Sequence, residues 1–251
     1  MVESDYTGAM PEPLPLFLFT DFGWSGPYVG QLHVALQQEG APLAVTDLMH
    51  DAPAMRPDLA AYLLPGVCQT LPRGVVLAVV DPGVGGSRAG VVADTGRLLF
   101  VGPDNGLFSQ VPGVCSVARI DWRPANVAPT FHGRDIFAPV AARLARGEPV
   151  DCSPWSADQL VGADWPPACA KIIYIDGYGN AMTGIPAAGV TTDRELRVAG
   201  RRLPFAATFC EVPQGEAFWY RNSQGLIEIA VSGRSAAAVL GLALGDELLL
   251  D

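Results

Sequence analysis

The N-terminal part of the chain alternates short apolar runs with segments that repeat apolar residues at helical spacing, and polar, glycine-rich loops follow the apolar runs. The run LFLFT is followed by Asp21 and the run GVVLAVV by Asp81, while segments 28–38 and 57–70 carry the helical pattern. Strands that alternate with helices form mainly parallel sheets, which helices cover on both faces. We therefore predict an α/β fold whose N-terminal domain is a mainly parallel α/β sandwich.

The pattern of apolar residues changes after a segment rich in Pro, Asp and Trp. From Lys171 onward the short strand-like runs KIIYID, RELRVAG and LIEIAV follow one another with few helical periods. This pattern is typical of a small β-rich domain. We predict a flexible leader at 1–15, an α/β domain at 16–155, a linker at 156–169 and a β-rich domain at 170–251.

The charge of the chain argues against two classes of partner. Its formal net charge is -10, and Lys171 is the only lysine among the 16 basic residues. Such a surface repels phosphate backbones and anionic lipids, so we expect neither nucleic acid nor a membrane as a partner. The N-terminal residues are acidic and proline-rich, unlike a signal peptide. The five cysteines include no C-x-x-C pair, so we predict a cytoplasmic protein with reduced thiols and no zinc cluster.

Polar loops follow four of the predicted strands. They begin at Thr20, Asp81, Pro103 and Asp176, and they combine acidic residues with glycines. The carboxyl ends of parallel strands meet at one edge of a sheet, where α/β proteins bind their ligands. Each loop alone has the composition of an ordinary turn, but the four together favour a shared binding site.

Two side chains near these loops carry candidate chemistry. Arg88 follows Asp81 across a glycine-rich loop that can fold back, so its guanidinium can pair with Asp81 or approach a ligand. His132 is one of three histidines, and a glycine beside it leaves room for a ligand.

Six motifs occur in the order and at the spacing of a known family. They are TDFG with PYVG, DPGVGGSR, VGPDNGL, TFHGRDIFAPVAA, IDGYGN and RNSQG. From about residue 16 to residue 250 the chain resembles the S-adenosyl-L-methionine (SAM) hydrolases that form adenosine, which are related to the SAM-dependent fluorinase and chlorinase. The resemblance implies SAM as substrate, adenosine and L-methionine as products, and no metal or other cofactor. It also implies a homotrimer whose SAM sites lie between the N-terminal domain of one subunit and the C-terminal domain of the next.

The resemblance assigns roles to four N-terminal residues. It implies that Asp81, Arg88 and His132 form the catalytic set, which holds a water for attack on the ribose 5′ carbon. Either Asp81 or His132 can be the base. It implies that Asp21 binds the ribose, because one carboxylate can accept hydrogen bonds from both hydroxyls of a diol.

The C-terminal motifs match the two ends of the substrate. By resemblance, Asp176 and Ser223 contact the amino-acid end of SAM. Asn180 binds the edge of the adenine, to which its amide offers both a donor and an acceptor, and Tyr178 lies beside the ring. The chain departs from the family at Gly26, where relatives usually have an acid, so it lacks one expected contact to the substrate amine.

Apolar side chains are expected around the reacting carbon. Excluding other water from the site protects a reactive electrophile. Phe22 and Phe131 are the candidates, because each adjoins a residue of the expected site.

A SAM-dependent halogenase is the nearest alternative function. A halide needs donors that replace its hydration shell. Halogenase relatives carry hydroxyl residues where this chain has Val84 and Gly133, and they have an aromatic residue at the place of Asp81. The carboxylate would repel a halide, so the sequence favours hydrolysis.

Two alternatives from other functional classes are also open. A metal-dependent phosphoesterase could bind Mg²⁺ or Mn²⁺ through Asp21, Asp81, Asp104 and His132. A non-catalytic SAM or adenosine sensor would retain Asp21 and Asn180 but turn nothing over.

Overall fold

The computed structural model describes residues 12–40 and 42–251. Residues 1–11 of the predicted leader lie outside the described residues. The end of the leader is joined to the sheet domain, since the Leu14 N–H donates to the Ala145 carbonyl at 2.7 Å and the Val75 N–H to the Pro15 carbonyl at 2.9 Å.

A seven-stranded mixed sheet forms the centre of the N-terminal domain. Its strands are β1 Leu16–Thr20, β2 Val45–Met49, β3 Gly74–Val79, β4 Gly90–Asp94, β5 Leu98–Pro103, β6 Ser116–Ile120 and β7 Cys152–Trp155. In the order β2-β1-β3-β5-β4-β6-β7, the pairs from β2 to β5 are parallel and those from β5 to β7 antiparallel. The antiparallel half begins where Thr95 and Gly96 turn β4 directly back into β5. The predicted α/β class is confirmed.

Helices cover both faces of this sheet. α1 (Tyr28–Gln38) and α3 (Ala138–Ala145) pack on one face, and α2 (Pro57–Cys68) packs on the other. Successive residues of β1 belong to the two cores in turn, with Leu18 on the α1 side and Phe19 on the α2 side. Burial on both faces explains why the first strands are continuous apolar runs. In the described ranges no helix is long and apolar enough to cross a membrane.

A smaller β-rich domain follows, as predicted. Its strands are β8 Cys169–Ile175, β9 Ala181–Pro186, β10 Leu196–Val198, β11 Arg201–Leu203, β12 Ala217–Arg221, β13 Leu226–Val231 and β14 Leu249–Leu250. β12-β13-β9-β8 form one antiparallel sheet and β11-β10-β14 a second. The two sheets enclose one hydrophobic core, which contains the buried ring of Trp219 and residues of the short helix α4 (Ala236–Leu240). The exact limits of the domains and the linker stay predictions.

The two domains are in close contact through α2. Gln69 Nε2 donates to the Ser223 carbonyl at 2.6 Å. At Gly66 a Cβ would lie 2.7 Å from the Gln224 carbonyl oxygen, so only glycine allows the backbones to approach this closely. This contact holds the β-rich domain against the sheet face that α2 covers.

Candidate active site

Asp81 and Arg88 form the centre of the site, just beyond the end of β3. The loop between them turns back at Gly85, whose φ is +82° and whose Cβ, if present, would lie 2.5 Å from the Pro129 carbonyl oxygen. Arg88 therefore returns to the Asp81 carboxylate, with Nε 3.1 Å from Oδ1 and 3.0 Å from Oδ2, and Nη2 2.5 Å from Oδ2. The Arg88 and Asp81 side chains are only 11% and 4% exposed, so solvent screens this ion pair weakly.

His132 joins the cluster through the same guanidinium. Arg88 Nη2 lies 3.0 Å from His132 Nδ1. A guanidinium can only donate, so Nδ1 accepts this bond and the proton of the neutral imidazole is on Nε2. Burial, followed by the charge of Arg88, lowers the pKa of His132. The structure thus brings together the three residues predicted as catalytic.

A π-helical stretch, Gly133–Phe137, follows His132, contacts Arg88 and continues directly into α3. It places the Phe137 ring 5.0 Å from the Arg88 guanidinium. At Gly133 a Cβ would lie 3.1 Å from Phe22 Cζ, so the small residue lets this aromatic ring approach the backbone beside the histidine. π-helical turns within helices are frequent at functional sites.

Three aromatic rings pack next to the cluster. Phe22 and Phe131, both predicted, meet edge to face at 5.6 Å, and Tyr28 contacts them at 6.1 and 5.4 Å. Tyr28 was not predicted as a site residue, although it lies in the PYVG motif, and its ring is half-exposed. Together the three rings form an apolar surface beside Gly133 and His132.

Asp21 lies one residue beyond β1, which pairs with β3 so that Thr20 is opposite Val79. The Met55 N–H donates to Asp21 Oδ2 at 2.9 Å. Burial raises the pKa of Asp21, the bond from Met55 opposes that rise, and the negative charge of Asp81 adds to it. Asp21 and Asp81 therefore belong to one region of the structure.

The loop that begins at Pro103 lies next to this cluster, but the Asp104 carboxylate bonds to a different part of the chain. Asp104 is buried, and its Oδ1 accepts a hydrogen bond from the Val161 N–H at 2.9 Å. Asn105 Nδ2 donates to the Val80 carbonyl at 2.8 Å. No three His, Cys, Asp or Glu side chains among residues 12–40 and 42–251 are arranged to hold a metal ion. Through Asn105 the loop reaches the residue before Asp81, and its part in a shared site stays a prediction. Within the described residues, Asp104 does not form a metal-binding group with Asp21, Asp81 and His132.

Asp176, Tyr178 and Asn180 line a cavity of about 660 Å³ in the C-terminal domain. The Asp176 carboxylate holds its own loop, because Oδ1 accepts the N–H groups of Tyr178 at 2.9 Å and Asn180 at 2.8 Å. Asn180 is buried, whereas the Tyr178 side chain is 84% exposed. Phe209 and Arg234, which no motif indicated, line the same cavity. Aromatic rings beside an amide suit a flat heteroaromatic ligand.

Ser223 lines a different cavity, of about 560 Å³, together with Asp51 and Tyr174. Neither cavity includes Asp21 or Asp81 in its lining. The two linings therefore hold the C-terminal candidates without the Asp81 cluster, and the cavities are neighbours, because the charge of Asp176 acts on Tyr174 in the lining of the Ser223 cavity.

Family models match both domains of the chain. The SAM hydroxide adenosyltransferase N-terminal domain matches residues 16–153, and the C-terminal domain of the same description matches residues 170–249. A protein named (R)-S-adenosyl-L-methionine hydrolase from Thermus thermophilus is 39% identical, over 92% of this chain and 97% of its own length.

Two other comparisons agree with this match. The crystal structure of an uncharacterized conserved protein from Thermotoga maritima is 29% identical and has a TM-score of 0.79, covering 94% of this chain and 99% of that chain. A fluorinase from Actinopolyspora mzabensis is more distant, at 26% identity over 67% of this chain and 68% of its own length. On the match to both domains and the similarity over nearly the whole length, the chain belongs to the SAM hydroxide adenosyltransferase family.

Proposed function

We propose that this protein hydrolyses SAM to adenosine and L-methionine by attack of water on the ribose 5′ carbon. The observation that carries the proposal is the Arg88 guanidinium, which bonds to Asp81 and His132 at the same time. Family membership and the named activity of the Thermus thermophilus relative support it.

The chemistry of a sulfonium determines what the cluster has to supply. Methionine leaves as a neutral thioether that takes the electron pair of the broken carbon–sulfur bond, so the leaving group needs no acid. Water, however, is a weak nucleophile at neutral pH. A water held about 3 Å from the carbon, in line with the carbon–sulfur bond, attacks faster because it is already oriented for the reaction. The rate of attack increases further when a base accepts the proton of the water during the reaction.

Asp81 is the better proton acceptor of the two candidate bases. Nδ1 of His132 already accepts a bond from Arg88, and Nε2 carries the proton of the neutral ring. A carboxylate offers about four acceptor positions, more than Arg88 occupies. We assign the proton of the water to Asp81 and the orientation of the water to His132 Nε2–H. Arg88 stabilises the hydroxide character that develops on the water.

Substrate binding in this proposal uses two subunits of a homotrimer. Asp21 of one subunit accepts both ribose hydroxyls. The C-terminal domain of the neighbouring subunit binds adenine through Tyr178 and Asn180 and the amino-acid end through Asp176 and Ser223. The separation of these residues from the Asp81 cluster within one chain supports a shared site.

Hydrolysis is favoured over halogenation by the groups around the nucleophile. A halide in the position of the water would face the like charge of the Asp81 carboxylate in a weakly screened site. Val84 and Gly133 offer no hydroxyl donors that could replace the hydration shell of the ion.

Reaction in ¹⁸O-labelled water, followed by mass spectrometry, tests the proposal. We expect adenosine with the label in its 5′-hydroxyl and unlabelled L-methionine. Added chloride should yield no 5′-chloro product, and treatment with EDTA should leave the rate unchanged. Unlabelled adenosine would contradict the attack of water on the 5′ carbon. A chlorinated product would support the halogenase, inactivation by EDTA the metal-dependent phosphoesterase, and binding of SAM without turnover the sensor.

A further inference from the structure

A chain of hydrogen bonds, buried at its inner end and half-buried at its outer end, adjoins the loop that carries Asp21. His50 is fully buried, with Nδ1 2.7 Å from Thr20 Oγ1 and Nε2 2.9 Å from Asp47 Oδ1. At the outer end, His33 Nε2 lies 2.9 Å from the same Asp47 oxygen. The inner end is Thr20, which directly precedes Asp21 in the sequence.

The donors and acceptors of this chain fix its direction when the imidazole of His50 is neutral. Burial raises the pKa of Asp47, but the hydrogen bonds from His50 and His33 outweigh it and the net pKa is lowered, so the group is a carboxylate that only accepts. His50 Nε2 then carries the proton and Nδ1 accepts the Thr20 hydroxyl. Thr20 Oγ1 in turn accepts the Phe22 N–H at 3.2 Å. The chain thus orients the peptide that follows Asp21.

Backbone contacts join the same loop to the residues after β2. The Gly23 N–H donates to the His50 carbonyl at 2.6 Å, and the Ala52 N–H donates to the Thr20 carbonyl at 3.1 Å. Met55, whose N–H bonds to Asp21, has a φ of +57°, a conformation that residues with a Cβ rarely adopt. Such conformations persist where the surrounding structure holds them, often at functional sites.

We propose that Thr20, His50 and Asp47 are positioning residues that hold the Asp21 carboxylate in the orientation needed to accept both ribose hydroxyls. This inference rests on the proposed function, because it takes the ribose of SAM as the ligand of Asp21. It adds to that function two buried residues, Thr20 and His50, and the half-buried Asp47, none of which touches the substrate. Their effect is on substrate affinity, because the ribose hydroxyls are bound in the ground state and the transition state alike.

Two matched pairs of variants test this inference. Thr20→Val removes the hydroxyl while keeping the shape of the side chain, and Thr20→Ser keeps the hydroxyl. His50→Gln retains a donor at the position of Nε2 and loses the acceptor for Thr20, whereas His50→Asn retains an acceptor at the position of Nδ1. We expect Thr20→Val and His50→Gln each to weaken adenosine binding and raise KM for SAM by about tenfold, with a much smaller change in kcat. Thr20→Ser and His50→Asn should bind adenosine much more tightly than their partners.

A control variant separates positioning from stability. Thr183 is also fully buried, and its hydroxyl donates to the Ile227 carbonyl at 2.8 Å in the other domain. Thr183→Val should lower the melting temperature as Thr20→Val does but keep the wild-type affinity for adenosine.

Calorimetry and thermal unfolding of the full-length protein decide between the outcomes. Wild-type affinity in Thr20→Val, or equal losses in His50→Gln and His50→Asn, would overturn the positioning role while leaving the proposed function intact. A wild-type protein that binds neither SAM nor adenosine would overturn the proposed function and this inference together.

Discussion

Arg88 Nη2 donates to Nδ1 of His132 at 3.0 Å while the same side chain holds both carboxylate oxygens of Asp81. One cation therefore sets the tautomer of the histidine and the orientation of the acid. Because the three side chains act as a unit, single substitutions are expected to have large effects that do not add.

Asp81→Asn should reduce kcat on the order of 10²–10⁴-fold, because the amide keeps the shape of the side chain but cannot accept the proton of the water. Binding of SAM should be largely retained. Turnover is measured by release of adenosine, and Asp164→Asn, at an exposed position, is the matched control. Wild-type turnover in Asp81→Asn would remove this residue from the proton transfer.

Arg88→Lys should reduce kcat on the order of 10²-fold, the effect of losing one donor that stabilises a developing negative charge. Lysine keeps the charge but cannot reach two groups with a planar fork. Steady-state kinetics check this result. A variant with nearly wild-type kcat would show that charge alone suffices and that the bond to His132 is dispensable.

The titration of His132 should have its midpoint below the ordinary value of 6.5, because burial and the charge of Arg88 both disfavour the imidazolium. The ring is then neutral at neutral pH and becomes protonated only as the pH falls through the lowered pKa. NMR of histidine-labelled protein measures the midpoint, and Arg88→Gln should move it upward. A wild-type midpoint above 6.5 would contradict the effect of burial and of the Arg88 charge on this pKa.

Asp21→Asn should weaken adenosine binding by about 1.5–3 kcal/mol, the range for hydrogen bonds to a charged group. Burial raises the pKa of Asp21, and only the ionised form can accept both hydroxyls. Wild-type affinity should therefore increase as the pH rises through the raised pKa, and this dependence should be absent in the variant. Calorimetry over a pH series makes the comparison, and parallel curves for the two proteins would exclude Asp21 from the binding site.

Mixed oligomers test whether two subunits build each site. At a SAM concentration well below KM, Asp81→Asn should have low activity because proton transfer is lost, and Asn180→Ala because adenine binding is weakened. Co-refolded in equal amounts, they should recover about a quarter of the wild-type activity. In random cyclic assembly, about one interface in four joins a subunit with an intact Asp81 to a neighbour with an intact Asn180. Sedimentation reports whether the species is a trimer. No recovery in a properly assembled mixture would mean that each chain builds its site alone.

The order of the main elements could be predicted because each central strand is apolar along its whole length. Burial on both faces of β1 and β3 produces such runs, and the acids that follow them mark the ligand edge. Asp21, Asp81, Arg88 and His132 could be identified because the chemistry depends on their side chains.

Other parts of the site carried no such signal. Met55 contributes a backbone N–H, which every residue except proline possesses. Asp104, like Asp81, is an acid in a glycine-containing loop after a strand, but its carboxylate bonds to the backbone N–H of Val161. The local sequence cannot reveal a contact with a residue so far along the chain. Thr20 and His50 meet only because β1 and β2 are neighbours in the sheet.

The close approach of Gly66 to Gln224 has a consequence for how molecules enter and leave the site. Because a Cβ would not fit between α2 and the turn before β13, this contact and the bond from Gln69 to Ser223 oppose a movement of the two domains of one chain away from each other. In the proposed trimer, we therefore expect that adenosine leaves when neighbouring subunits move slightly apart or when exposed rings such as that of Tyr178 are displaced. A covalent tether between neighbouring subunits would slow the exchange of product, whereas a cross-link between the two domains of a single chain would leave it unchanged.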